Sequence, residues 1–122
     1  CFHSVKGYSK IGRYTGNGNA DGSFVYTGFK PAWLMIKKTN NTSQWVIHDT
    51  TRQEFNMQTR FLQANQNAAE STSSNADLDI LSNGFKLRSS DDAQNGSGDT
   101  YIYMCFAEHP FVSSEGVPTT AR

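Results

Sequence analysis

The stretch 89–99 carries the densest set of side chains able to bind a ligand through oxygen atoms. Carboxylate and amide oxygens are the ligands that Ca²⁺ prefers. A calcium loop of the EF-hand type that starts at Asp91 requires an acidic or amide residue at its third position and Glu at its twelfth. Those two positions hold Ala93 and Ile102. We therefore predict a solvated polar loop with no metal or cofactor, and keep a looser calcium site as the alternative. Its candidate ligand-binding residues are Asp91, Asp92, Asn95 and Asp99.

A second polar loop, 16–22, is rich in glycine, Asn and Asp, which tolerate positive φ. It lacks the G-x-G-x-x-G spacing, the following helix and the lysine of a phosphate-binding loop. Its candidate ligand-binding residues are Asn17, Asn19 and Asp21. Ordered loops often carry specificity, so we predict that 16–22, 53–74 and 89–99 provide any recognition surface.

No arrangement of residues in the sequence predicts catalysis. His48 and Asp49 are adjacent, but neighbouring residues of a strand point to opposite faces and do not readily form a hydrogen-bonded dyad. The nucleophile elbow Gly-x-Ser-x-Gly is absent. Asp77 and Asp79 share one side of a predicted strand, so a glycan-degrading enzyme stays open as a third alternative. We predict a protein that is not an enzyme.

Aromatic and amide side chains together suit carbohydrate recognition, because rings stack on the C–H faces of sugars and amides bond their hydroxyls. The chain has five tyrosines and two tryptophans. Those within predicted strands have a simpler explanation, which is that they fill a core. We therefore predict a core position for Trp33, Trp45, Tyr101 and Tyr103, and assign recognition to the loops.

The segment 29–52 organises the predicted fold. It holds two short runs rich in β-branched and aromatic residues, split by a small polar cluster, which predicts an antiparallel hairpin. Its first strand alternates Trp33 and Met35 with Leu34 and Ile36, so both faces are apolar. Such a strand is buried on both sides, or buried on one side and in an interface on the other.

The remaining patterns predict further short strands. A hairpin is predicted over 78–88, where Asn83-Gly84 suits a type I′ turn. Residues 53–74 lack a sustained apolar stripe and predict a long surface loop with a helical turn. The other predicted strands are 9–15, 24–27 and 100–107, with the last central in a sheet. About eight short strands with long polar loops predict an all-β, antiparallel β-sandwich, jelly-roll-like or immunoglobulin-like.

Composition and charge narrow the class of protein. The 122 residues predict one domain over 1–111 and an extended tail over 112–122. Eleven basic and eleven acidic side chains cancel, which argues against a nucleic-acid partner. The sequence contains no apolar run of about eighteen residues, so we predict no insertion into a membrane. Cys105 lies in an apolar strand and is predicted to be a free core residue rather than the partner of Cys1. The start at Cys1 leads us to expect part of a longer protein.

Five blocks of the chain, in this order, resemble a domain of tail-fibre and related virion proteins of tailed phages, especially marine ones. The likeness covers almost the whole chain, and Cys105 departs from it where a small residue such as alanine is expected. The blocks are residues 8–18, 24–37, 45–52, 81–88 and 100–111.

This resemblance implies a structural or host-recognition module located in the virion, in a tail fibre or similar appendage, with no catalytic residues to transfer. We predict a non-enzymatic domain that contacts a host cell-surface glycan or protein through its loops. Its other partners are virion subunits, and a homotrimer is expected. The alternative is an assembly or decoration module that binds only neighbouring subunits.

Overall fold

A computed structural model of the chain describes residues 1–113 and 115. Two antiparallel sheets pack against each other, so the predicted all-β sandwich is confirmed. The larger sheet has the strand order β1-β8-β3-β4-β5 and the smaller one β2-β7-β6. The strands are β1 (Ser9–Thr15), β2 (Phe24–Tyr26), β3 (Pro31–Lys38), β4 (Trp45–Asp49), β5 (Leu62–Gln63), β6 (Leu78–Leu81), β7 (Gly84–Leu87) and β8 (Thr100–Ala107).

The core lies between the two sheets. β8 is central, as predicted, because β1 and β3 both pair with it. Side chains alternate across a strand, so one set from each central strand points inward. On β3 this set includes Leu34 and Ile36, and on β8 it is Tyr101, Tyr103 and Cys105, all buried. The smaller sheet covers them with Phe85, Leu87, Leu78, Ile80 and Val25. The predictions for the two tyrosines and for a free, buried Cys105 are confirmed.

The prediction that both tryptophans belong to the core is wrong. Trp33 and Trp45 lie on the outer face of the five-stranded sheet, where Trp33 is half-buried and Trp45 is 37% exposed. The sequence pattern of β3 is apolar on both faces, and alternation alone does not say which face is covered. The smaller sheet covers the face that carries Leu34 and Ile36, which leaves the tryptophan face outside.

The predicted type I′ turn between β6 and β7 is also wrong, although the hairpin itself is confirmed. No described non-glycine residue has a positive φ, and Gly84 is not among the glycines that do. The Asn83 carbonyl instead accepts hydrogen bonds from the backbone N–H groups of Thr27 and Gly28, at 3.0 and 3.2 Å. Gly84 allows close packing of the chain, because a Cβ there would collide with the Val25 carbonyl oxygen.

The segment 53–74 is a long loop, as predicted, but its local structure is the short strand β5 rather than a helical turn. A three-residue 3₁₀ turn, Ser74–Ala76, begins at the last residue of this segment. Arg52 anchors the loop at its base through Asp49, at 3.0 Å, and Glu70, at 2.5 Å. Within the part of the chain that the structure describes, no helix is long and apolar enough to cross a membrane. Apart from residues 112, 113 and 115, the predicted extended tail lies outside the described residues.

Candidate functional site

The structure brings the two predicted polar loops, 16–22 and 89–99, together at one end of the sandwich. Three backbone hydrogen bonds join them directly. Gly16 N–H donates to the Asp99 carbonyl at 2.9 Å, Gly18 N–H to the Asn95 carbonyl at 2.8 Å, and Gly98 N–H to the Gly16 carbonyl at 3.0 Å. All seven predicted ligand-binding residues therefore lie in one joined structure, which we call the polar end.

Asn95 is the centre of the polar end and is fully buried. Its amide NH₂ donates to Asn17 Oδ1 at 2.9 Å and to the carbonyl oxygens of Asn19 and Ser89 at 2.8 and 2.9 Å. Its Oδ1 accepts from the backbone N–H of Asn17 at 3.0 Å. A buried amide needs such partners, so this side chain holds the loops together and has no exposed surface for a ligand.

Asp92 and Asp99 neutralise a buried cation supplied by β3. The Lys38 side chain is only 2% exposed, and its Nζ lies 2.5 Å from Asp92 Oδ1 and 2.7 Å from Asp99 Oδ2. The hydrogen bonds to Asp92 and then Asp99 raise the pKa of Lys38. The hydrogen bonds from Lys38 and then Asn40 lower the pKa of Asp99. The two carboxylates therefore balance an internal charge, which explains why oxygen-rich residues gather here.

The other predicted residues mostly organise their own loops. Asn17 Oδ1 accepts from Asn19 N–H at 3.0 Å, and Asn19 Oδ1 accepts from Asp21 N–H at 2.9 Å. Asp91 Oδ1 accepts from Ala93 N–H at 2.8 Å. Asp21 is exposed and pairs with Lys86 at 2.6 Å, which lowers the Asp21 pKa. Among the described residues no cluster of three His, Cys, Asp or Glu side chains is placed to hold a metal ion. Asn95 offers no surface to a ligand, and ligand binding by the other six residues stays a prediction.

The outer face of the large sheet holds a site that the sequence reasoning missed. Trp45 begins β4, and its backbone is held on both sides by the loop after β5. Its N–H donates to Asn65 Oδ1 at 2.9 Å and its carbonyl accepts from Ala64 N–H at 2.9 Å. The alternation of side chains along β4 could have indicated this exposure. Trp45 lies on the same face as the charged Asp49, whereas Val46 and His48 lie on the other face, which is buried.

A polar groove of about 460 Å³ lies between the β3–β4 turn and the loop after β5. Gln44 Oε1 accepts from Asn65 Nδ2 at 2.8 Å and from Gln66 Nε2 at 2.9 Å. These bonds fix the amide groups and leave the Gln44 NH₂ without a protein partner among the described residues. We call this surface the amide groove; it is lined by Lys37, Thr42, Ser43, Gln44, Asn65 and Gln66.

An apolar cavity of about 270 Å³ adjoins the amide groove on the same face. Lys37 lines both spaces, and Trp45, which lines the apolar cavity, is the cross-strand partner of Lys37. The rest of its lining is almost entirely apolar and comes from β1, β3, β8 and the N-terminal segment. These residues include Phe2, Ile11, Met35, Ile102 and Met104.

The histidine and carboxylates considered for catalysis lie elsewhere. His48 and Asp49 point to opposite faces, as expected: His48 is buried, and Asp49 binds Arg52 at 3.0 Å. Burial lowers the pKa of His48 to about 4, so the imidazole is neutral near pH 7, with its Nε2 2.8 Å from Gln94 Nε2. Burial raises the pKa of Asp77, while Asp79 pairs with Arg88 at 2.6 Å.

Comparison with known proteins places most of the chain within one family. The family model, described as a domain of unknown function (DUF7483), matches residues 1–110. No curated protein and no solved structure matches the chain significantly. The matched range includes all eight strands, the polar end, the amide groove and the apolar cavity.

The buried His48 predicts a loss of stability in weak acid. Its pKa is about 6.5 in the unfolded chain and about 4 in the folded protein, so the unfolded state binds the extra proton between these values. Its contribution is complete above pH 6.5 and falls by up to about 1.4 kcal/mol per pH unit toward pH 4. Urea unfolding from pH 8 to 4 should show that His48→Gln lacks this slope while His3→Gln, at an exposed position, keeps it. Parallel curves for wild type and His48→Gln would contradict the assignment.

Because Lys38 is buried between Asp92 and Asp99, we expect the stability of the polar end to depend on its side chain. Lys38→Met should lower the urea midpoint and reduce amide hydrogen-exchange protection in 89–99, because it leaves Asp92 and Asp99 facing each other without a cation. The matched control is Lys37→Met on the opposite face of the same strand, which should change stability by less than about 0.5 kcal/mol. Equal effects of the two substitutions would show that the ion pairs do not hold the loop.

Proposed function

The chain belongs to the DUF7483 family, and we propose that this member is a non-enzymatic module that recognises a glycan through Trp45 and the amide groove. The observation that carries the proposal is an exposed indole next to hydrogen-bonded amide groups and the hydroxyls of Thr42 and Ser43. An indole stacks on the C–H face of a sugar ring. Amides and hydroxyls supply both donors and acceptors, as sugar hydroxyls require.

The rigidity of the site supports recognition. Two backbone hydrogen bonds hold Trp45 against the loop after β5, and Gln44 links Asn65 to Gln66. Groups that are already ordered lose less entropy when a ligand binds, so even a shallow groove retains useful affinity.

The absence of an acid–base pair in the lining supports a binding role. Glycoside hydrolysis generally uses two carboxyl groups that flank the bond to be cleaved. Neither the amide groove nor the apolar cavity is lined by Asp or Glu among the described residues. The buried Asp79 lies in the smaller sheet, where it already pairs with Arg88, and the buried Asp77 directly precedes the same strand.

The placement of the domain in a phage virion is a proposal supported by the sequence resemblance in five blocks. In a tail fibre or similar appendage, a homotrimer would present three copies of a weak site to the host cell surface. Linked copies raise the overall avidity without any new contact. The exposed carboxylates of the polar end, Asp21 and Asp92, stay proposed as a further contact region for the host ligand.

A second candidate function is assembly with neighbouring copies of this chain in the virion. One row of paired residues crosses the whole outer face and is apolar throughout: Ile11, Met104, Met35, Ile47 and Leu62. The free face of an antiparallel sheet is usually polar. Its five strands, which are two to eight residues long and about 4.8 Å apart, present roughly 500 Å² of flat surface, somewhat less than the ~800 Å² per partner of a standard interface. A second copy of the same face matches this size and chemistry.

Substitution of the exposed tryptophan tests the glycan proposal. Binding of the chain to host-derived glycans and host cells should fall about tenfold or more in Trp45→Ala, because stacking is lost, and less in Trp45→Phe. Trp33→Ala is the matched control, since Trp33 lies on the same face but packs on Phe106 and lines neither cavity. Glycan arrays and biolayer interferometry give the measurement. Absence of binding to every glycan and cell, or equal losses in both variants, would reject the proposal.

The assembly candidate predicts an oligomer that depends on the centre of the apolar row. Light scattering at micromolar concentration should then give a multiple of the 13.5 kDa chain mass. Met104→Glu, which places a charge in the row, should return the mass to that of one chain. The control is Lys10→Gln on β1, outside the row. A monomeric wild type together with glycan binding would leave recognition as the function.

A further inference from the structure

The two cavities beside Trp45 form one continuous surface of mixed chemistry. Lys37 lines both spaces, and Trp45 pairs with it across β3 and β4. A ligand that crosses the indole therefore meets amides and hydroxyls on one side. On the other side it meets Met35, Met104 and Ile102. A plain, fully hydroxylated sugar uses the first surface and leaves the second exposed to water.

The apolar cavity has the size of a substituent rather than of a whole ligand. Its volume of about 270 Å³ lies just below the roughly 300–1,000 Å³ of small-molecule sites. Burial of each methylene group of a ligand strengthens binding by about fourfold, which corresponds to about 0.8 kcal/mol. A short acyl or alkyl chain attached to a sugar on Trp45 fits both the volume and the lining.

The same face carries two cations that no carboxylate of the described residues neutralises. Arg13 and Lys37 flank Ile102 in one cross-strand row. Among the described residues neither forms an ion pair with Asp or Glu, whereas the buried Lys38 and Lys86 of the smaller sheet both do. The Lys37 ammonium donates to the Lys38 carbonyl at 2.6 Å, which holds it beside the groove. An anionic group on the ligand complements this pair.

We infer that the ligand of this site is an acidic glycan bearing an acyl or alkyl chain. The sugar ring stacks on Trp45 and its hydroxyls bond the amide groove. The chain occupies the apolar cavity, and the anionic group lies near Lys37 and Arg13. This inference rests on the proposed glycan recognition and adds the class of ligand that the same surface selects.

Four small probes separate the three contributions: octyl β-glucuronide, octyl β-glucoside, methyl β-glucuronide and octanoate, each titrated below its micelle concentration into the full chain. Octyl β-glucuronide should bind at least tenfold more tightly than each of the others, because only this probe offers sugar, chain and charge together. Isothermal titration calorimetry gives the affinities, and saturation-transfer NMR shows which part of each probe contacts the protein.

Variants assign each contribution to its residues. Met104→Ser should weaken octyl β-glucuronide about fourfold or more and leave methyl β-glucuronide unchanged. Lys37→Gln should remove the preference for glucuronide over glucoside, while Lys10→Gln should keep it. Circular dichroism confirms that each variant is folded before titration.

The outcomes separate the inference from the function beneath it. If methyl β-glucuronide binds as tightly as the octyl form, the inference is overturned and glycan recognition stands. If octanoate equals octyl β-glucuronide, the sugar contributes nothing and both fail. Absence of octyl β-glucuronide binding overturns the inference, whatever the glycan array shows for unsubstituted glycans.

Discussion

The pairing of β8 between β1 and β3 is the constraint on which the rest of the structure depends. β3 and β8 carry apolar side chains on both faces, and the register of β1, β8 and β3 aligns the side chains in rows across the sheet. Covering the inner rows with the smaller sheet forms the core, where each fully buried Leu, Ile or Phe contributes about 1.5–3 kcal/mol. The same pairing necessarily leaves the outer rows facing solvent. The core and the candidate site are thus two sides of one sheet.

The polar end shows how the fold uses residues that resemble ligand-binding groups. Lys38 ends β3 on the inner side, where a buried ammonium is costly without a partner. Asp92 and Asp99 supply the opposite charge, and Tyr101 donates to the Asp92 carbonyl at 2.7 Å while accepting from Gly96 N–H at 2.8 Å. With Asn95 bonded to both loops, the acids and amides of 89–99 close one end of the sandwich. Their oxygen-rich composition has a structural cause.

The candidate site has the opposite character, since its functional groups face solvent and are held in place by exposed neighbours in the loop after β5. Asn65 and Ala64 hold the Trp45 backbone, and Gln44 links the two walls of the amide groove. The apolar row beside it explains why one face suits either a ligand with an apolar part or a second copy of the chain. Recognition of a glycan that carries an acyl or alkyl chain would account for the fixed amides as well as the apolar residues, whereas assembly accounts for the apolar row alone.

The local sequence pattern determined the strands. The predicted strands 9–15 and 100–107 match β1 and β8, and the hairpins within 29–52 and 78–88 were also predicted. These predictions succeeded because alternation and turn residues are short-range signals. Alternation is symmetric, however, so it did not say that Leu34 faces the core and Trp33 the solvent. Only the second sheet decided that. Tertiary packing likewise decided the turn at Asn83, through Thr27 and Gly28, and the internal roles of Asn95 and Asp99. It also created the site at Trp45, because that site joins β3, β4 and the loop after β5, and no local pattern records which distant segments meet.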